Sequence, residues 1–157
     1  STILFSVYLL EAESRGTPSN QIDSTRLAYE FEKSGDSVEP IKISKWLERE
    51  DSPSYEYMND QSFSQFLNGL ISSKRGEKEG STPALEEALT NNIKLKKISI
   101  AYSLRSDDII EVLKIVNFRL GKSELSAFFR RPGHKNYREC KDQVLRNFLN
   151  GLQKKLG

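Results

Sequence analysis

Apolar residues recur along this chain at three- and four-residue spacing, and the same stripe appears twice. Over residues 60–75, Phe63, Phe66, Leu67, Leu70 and Ile71 fall on one side of a helix, and Asn59 or Asp60 stands where it caps that helix. A last helix over 142–156 mirrors it. Upstream of the first stripe, Pro40 suits the first turn of a helix over 41–50, with Ile43, Trp46 and Leu47 on one face and Asp51-Ser52-Pro53 breaking it. Its counterpart in the second half is a helix over 122–131. Ser24 and Ser106 are the expected caps of two further matching helices, the first carrying Leu27, Ala28 and Phe31 and ended by Gly35, the second over 107–116. Asn91 or Asn92 is the expected cap of a helix over 93–104. Residues 3–12 read as a helix buried on more than one side, followed by a turn-forming insertion over 14–20. A polar linker over 76–81 leads to Thr82-Pro83, which opens a short helix over 84–89.

The two halves are copies. Sliding residues 43–75 by 82 positions onto 125–157 needs no gap and gives ten identities in 33 positions, among them Ser44 with Ser126, Arg49 with Arg131, Tyr55 with Tyr137, Asp60 with Asp142 and the whole FLNGL motif. So long a period marks a duplicated folding unit rather than a short solenoid repeat. The expected fold is all-α: two homologous helical units of about four helices each, packed about a pseudo-two-fold axis. Residues 1–76 form the first unit, 77–90 a linker with a short helix, and 91–157 the second. Gly69 and Gly151 lie inside predicted helices, where glycine costs about 1 kcal/mol relative to alanine. Close approach of a neighbouring helix would offset that cost, the corresponding helix of the other unit being the expected neighbour; a kink before the helix ends is the alternative.

Composition adds a charge asymmetry. Residues 1–90 carry 9 Lys+Arg against 16 Asp+Glu, while residues 91–157 carry 15 against 6. Such a split points to an anionic partner for the basic half, to acidic and basic units facing each other, or to a solvated basic face. At 36% hydrophobic and 29% charged residues the chain reads as globular, with no run approaching the ~20 apolar residues of a membrane span. The apolar start lacks a basic flank, so a cytoplasmic protein without a signal peptide is expected. The single cysteine, Cys140, rules out an intrachain disulfide and fits a reducing compartment.

The second half carries a recognisable pattern in NNIKLKKISIAYSLRSDDIIEVLKI, then SELSAFFRRPGHKNYREC, then DQVLRNFLNGL. It resembles the YehS-like family of bacterial proteins, built from two tandem copies of a domain of unknown function. The resemblance covers residues 91–152 and, in the first unit, 43–75 closely and the part before that loosely, where the insertion at 14–20 departs from it. Lys141 also stands where the family is expected to have glycine. The resemblance implies an all-helical tandem repeat and brings no activity or catalytic residue.

Two chemistries are worth locating. His134 stands six residues before Cys140, and imidazole can activate a thiol, but the first unit has Ser52 and Met58 at these places, which favours structural roles for both. A zinc or iron site needs three or four spaced ligands that this sequence lacks, so neither metal nor cofactor is expected. The stretch 107–131 has the outline of a helix-turn-helix. Its second helix would bury Leu125, Phe128 and Phe129 and present Lys122, Ser123, Ser126, Arg130 and Arg131, with His134, Lys135, Tyr137 and Arg138 just beyond. Arginine grips phosphate through a planar fork, lysine as a point charge, and tyrosine stacks on a base. Lys122, Ser126, Arg130, Arg131, His134, Lys135, Tyr137 and Arg138 are therefore the candidate nucleic-acid-binding residues of a non-enzymatic module. The alternative is a protein-interaction or self-assembly module in which acidic and basic repeats dock.

Overall fold

A computed structural model of the chain describes residues 39–48, 51–75 and 88–156. The described residues form six α-helices and no strand. The chain divides into two compact units, Ser1–Leu89 and Thr90–Gly157.

In the first unit, α1 runs Pro40–Leu47 and α2 runs Asp60–Arg75. Pro40 opens α1 as expected, but the helix stops at Leu47, three residues before the predicted end, because Glu48 swings to ψ 158°. The Asn59 side chain caps α2 by accepting the Ser62 amide at 2.8 Å. Asp60, the first helical residue, accepts the amide of Leu89 at 3.1 Å instead. Ile43, Trp46, Met58, Phe63, Phe66, Leu67 and Leu70 are buried, with Phe63 and Phe66 packed edge to face at 6.4 Å. The helices predicted upstream of Pro40, the insertion at 14–20 and the linker at 76–81 lie outside the described residues. Ala88 and Leu89, expected to end the short helix, are not helical.

The second unit holds α3 (Asn91–Ala101), α4 (Ser106–Ile115), α5 (Lys122–Phe128) and α6 (Asp142–Leu156). Neither asparagine caps α3: Thr90 does, its hydroxyl accepting the Ile93 amide at 3.3 Å. Ser106 is likewise not a cap but the first residue of α4; the amide of Arg105, before it, donates to Asp108 at 2.8 Å. Helices α3 and α4 both end on a left-handed residue, Ser103 at φ 56° and Asn117 at φ 58°. In each the next amide reaches back to satisfy a carbonyl of the last turn, Leu104 to Ser99 at 2.8 Å and Phe118 to Leu113 at 2.9 Å. Helix α5 ends at Phe128, three residues short of the prediction. Pro132 disfavours helical backbone at Arg131, and the chain folds back so that the Arg138 amide takes the Ala127 carbonyl at 3.2 Å.

Within this unit α4 packs on both α6 and α5, and α3 on α6. The α4–α6 crossing explains Gly151. A Cβ there would overlap the Val112 carbonyl oxygen and lie 2.9 Å from Val112 Cγ1. Close approach is the right account, and the neighbour met is Val112 of α4, a helix of the same unit. For Gly69 the residue equivalent to Val112 is Glu30, outside the described residues.

The 82-residue offset holds at the level of structure. Helices α1 and α5 start at equivalent residues, as do α2 and α6. Ile43 with Leu125, Trp46 with Phe128, Met58 with Cys140, Phe63 with Leu145, Phe66 with Phe148, Leu67 with Leu149 and Leu70 with Leu152 are buried in both units. Among the described aromatic residues expected in the core, only Phe129 is half-buried.

Candidate functional site

The segment between α5 and α6 carries most of the candidate residues, and one buried side chain holds it in place. Asn92, on the first turn of α3, donates through Nδ2 to the carbonyls of Phe128 at 3.0 Å and Arg138 at 2.8 Å, and accepts the Cys140 amide on Oδ1 at 2.9 Å. Next to it, Asn91 donates to the Cys140 carbonyl at 3.1 Å and to Asp142 at 2.7 Å. Both ends of the loop are thus tied to the start of α3. An asparagine beside a cap position reads locally as a cap, so nothing near it in sequence signals this role.

The fold-back brings Arg130, Arg138 and Ser126 together. With Ser123, Glu124, Ala127 and Asn136 they line an open hollow of about 360 Å³. Glu124 is turned partly to its own helix, accepting the Gly121 amide at 3.4 Å. The other candidates lie outside the lining. Lys122 is exposed and paired with Asp107 at 3.0 Å. Arg131 and Lys135 are exposed, beyond the end of α5 rather than on it. Tyr137 is half-buried, its amide donating to the His134 carbonyl at 3.0 Å. A larger open hollow of about 750 Å³, lined in part by Ile110, Lys114, Phe118 and Arg119, contains none of the candidates.

The helix-turn-helix outline is present in α4 and α5, but α5 has only seven residues and Arg130 and Arg131 are not on it. Sequence periodicity carried the helix through them because Pro132 is the one local stop signal.

The same framework recurs in unit one. Glu56 donates its amide to the Lys45 carbonyl at 3.2 Å, as Arg138 does to Ala127, and Tyr55 donates to Ser52 at 3.1 Å, as Tyr137 does to His134. The Ser54 amide reaches Ser52 Oγ at 3.4 Å, and the Asn136 amide reaches His134 Nδ1 at 3.0 Å. His134 therefore does in its turn what a serine does in the other. On this common backbone the charges invert: Lys42 stands where unit two has Glu124, Glu48 where it has Arg130, and Glu56 where it has Arg138. Lys45, in place of Ala127, pairs with Glu56 at 3.5 Å.

Cys140 is a core residue, 1% exposed, at the place where unit one buries Met58 at 4%. Burial pushes its thiol from an ordinary 9.0 up to about 11, and the carboxylates of Asp142 and Glu139 add to the rise. A thiol so placed stays protonated near neutrality, and His134 Nδ1 is taken by the Asn136 amide. No group of three or more His, Cys, Asp or Glu able to hold a metal occurs among the described residues.

The chain is an all-α protein of two homologous helical units, and it belongs to the family described as "Protein of unknown function (DUF1456)", whose model matches it twice, over residues 21–76 and 91–156. It is 50% identical over 113 residues to "Uncharacterized protein YehS" of Escherichia coli (strain K12), a match covering 71% of this chain and 72% of that protein. No solved structure matches it. No helix among the described residues is long and apolar enough to cross a membrane.

Proposed function

We propose that this chain is a non-enzymatic interaction module, docking on a protein surface of opposite charge through the helix–loop face that each unit builds from the same backbone. The carrying observation is the sign inversion at Lys42/Glu124, Glu48/Arg130 and Glu56/Arg138 over a framework whose hydrogen bonds are kept. Solvation alone gives no reason for the sign to invert at these three positions while Arg49 and Arg131 keep theirs. Exposed apolar side chains point the same way. Ile41, equivalent to Ser123 of the hollow, is 64% exposed, and Tyr57, next to Glu56, is 75% exposed. Apolar groups beside charges suit a protein interface better than a phosphate backbone.

Nucleic-acid binding is the second reading. Arg130, Arg131, Lys135 and Arg138 are exposed and have no acidic partner among the described residues. A photo-crosslinking side chain at Ser126 in the intact protein, activated in bacterial cells, separates the two. The interaction reading expects a nuclease-resistant, protease-sensitive adduct that disappears in the double variant Arg130→Glu, Arg138→Glu. A nuclease-sensitive adduct would establish the second reading, and no adduct would defeat both.

A further inference from the structure

We propose that the partner is a second copy of this chain, the α1 face of one copy docking in the Arg130–Arg138 hollow of another. This rests on the interaction-module reading and names its partner.

The argument begins with shape. Two faces built on equivalent backbone can meet about a local two-fold, so that a position on one meets a second position on the other and the relation holds in reverse. If both carried the charges of unit one, every one of these encounters would be repulsive. Inverted signs remove the conflict. Lys42 meets Glu124 near the local axis, while Glu48 and Glu56 meet Arg138 and Arg130. All six residues are exposed. The arginine forks suit carboxylates bidentately, which the glutamates of unit one supply. Lys45 has no acidic counterpart, but its opposite position is the small Ala127, which leaves room for the lysine stem. The half-exposed Lys45–Glu56 pair, at 3.5 Å, is weak enough to yield Glu56 to an arginine. Ile41 and Tyr57 then lose their exposed apolar surface at the rim.

Each chain carries both faces, so every copy gives one contact through its acidic face and one through its basic face. The contacts are between exposed charges and are therefore screened by salt, over a distance of about 10 Å at 0.1 M.

The test uses the whole chain and measures mass by sedimentation or light scattering. The wild type is expected to self-associate at low salt, as a dimer or a larger assembly, and to be monomeric in about 0.5 M salt, where screening is nearly complete. The variant Arg130→Glu, Arg138→Glu has two acidic faces and the variant Glu48→Arg, Glu56→Arg loses the acidic partner positions, so each alone is expected to be monomeric. Mixed in equal amounts at low salt, they are expected to co-assemble in one-to-one proportion, since each then offers what the other needs. That rescue also shows both variants folded. A wild type that stays monomeric at low salt, single variants that still self-associate, or a mixture that fails to co-assemble would overturn the proposal. A crosslinked protein adduct at Ser126 of some mass other than twice the chain's would sink the second copy as partner while leaving the interaction reading in place.

Discussion

The amide of Cys140 rests on Oδ1 of Asn92 at 2.9 Å, across 48 residues of sequence. The same side chain holds two carbonyls on its other end, so removing it strands three buried or part-buried backbone groups. Asn92→Ala is expected to cost about 3 kcal/mol, at about 1–3 kcal/mol for each buried group left unsatisfied. Asn92→Asp keeps the acceptor for Cys140 but turns a second oxygen on the carbonyls of Phe128 and Arg138, so it is expected to be no better tolerated. Urea unfolding measures both, and a loss below about 1 kcal/mol would mean that water replaces the clasp.

Gly151 gives a sign test. Helix propensity alone makes Gly151→Ala a gain of about 1 kcal/mol. The overlap of the new Cβ with the Val112 backbone makes it a loss instead, of about 2 kcal/mol, because two helices must separate. A melting temperature that falls agrees with the packing, and one that rises shows the α4–α6 crossing to be loose.

The two units differ in how their last helices begin. Asn59 caps α2, whereas Lys141 at the equivalent position sends its amine to Glu139 at 3.0 Å and leaves the first turn of α6 without a side-chain cap from that position. Lys141→Asn is expected to stabilise the protein by about 1 kcal/mol, and Asn59→Ala to destabilise it by about as much. Chemical denaturation of the pair settles whether the caps are equivalent.

Cys140 makes stability depend on alkaline pH. Its folded-state thiol titrates above the ordinary value, at about 11 rather than 9.0, so folding disfavours the thiolate. Below pH 9 both states hold the proton and the shift has no effect. Between pH 9 and about 11 the unfolded chain loses its proton first, and stability falls with rising pH at up to ~1.4 kcal/mol per unit. Subtracting the profile of Cys140→Val isolates this from the lysines and tyrosines. Identical profiles for the two proteins would contradict the burial.

His134→Ser is expected to change stability by less than about 0.5 kcal/mol, since Ser52 accepts the equivalent amide and the turn is on the surface. A loss of several times that size would give the imidazole a role that its hydrogen bonds do not display.

What could be read in the sequence followed how far each cause acts along the chain. Pro40 as a helix start, Asn59 as one of two offered caps, and the stripe from Phe63 to Leu70 depend on neighbours within a turn or two, and they stand in the structure. Asp142 was placed by the repeat, which carries information about one unit into the other. The misses have remote causes. Asn92 looks like a cap because its partners lie 36 to 48 residues away. Arg130 and Arg131 look helical because the fold-back onto Ala127 is a tertiary event. Symmetry points to the other unit for the partner of Gly151, whereas the nearest contact is with Val112 of the same unit. Of the candidate residues, chain order alone placed Arg130 and Arg138 in one neighbourhood; their shared hollow, and its inverted image in unit one, needed the backbone pairing.

A lone thiol sealed in the core of one repeat also works as a clock. Cys140 reacts with a thiol reagent only when unit two opens, so its labelling rate reports the opening equilibrium of that unit by itself. Unit one carries Met58 at the same depth and stays silent. Labelling followed alongside a whole-chain signal such as circular dichroism therefore reads out whether the duplicated units unfold as one cooperative body or one after the other.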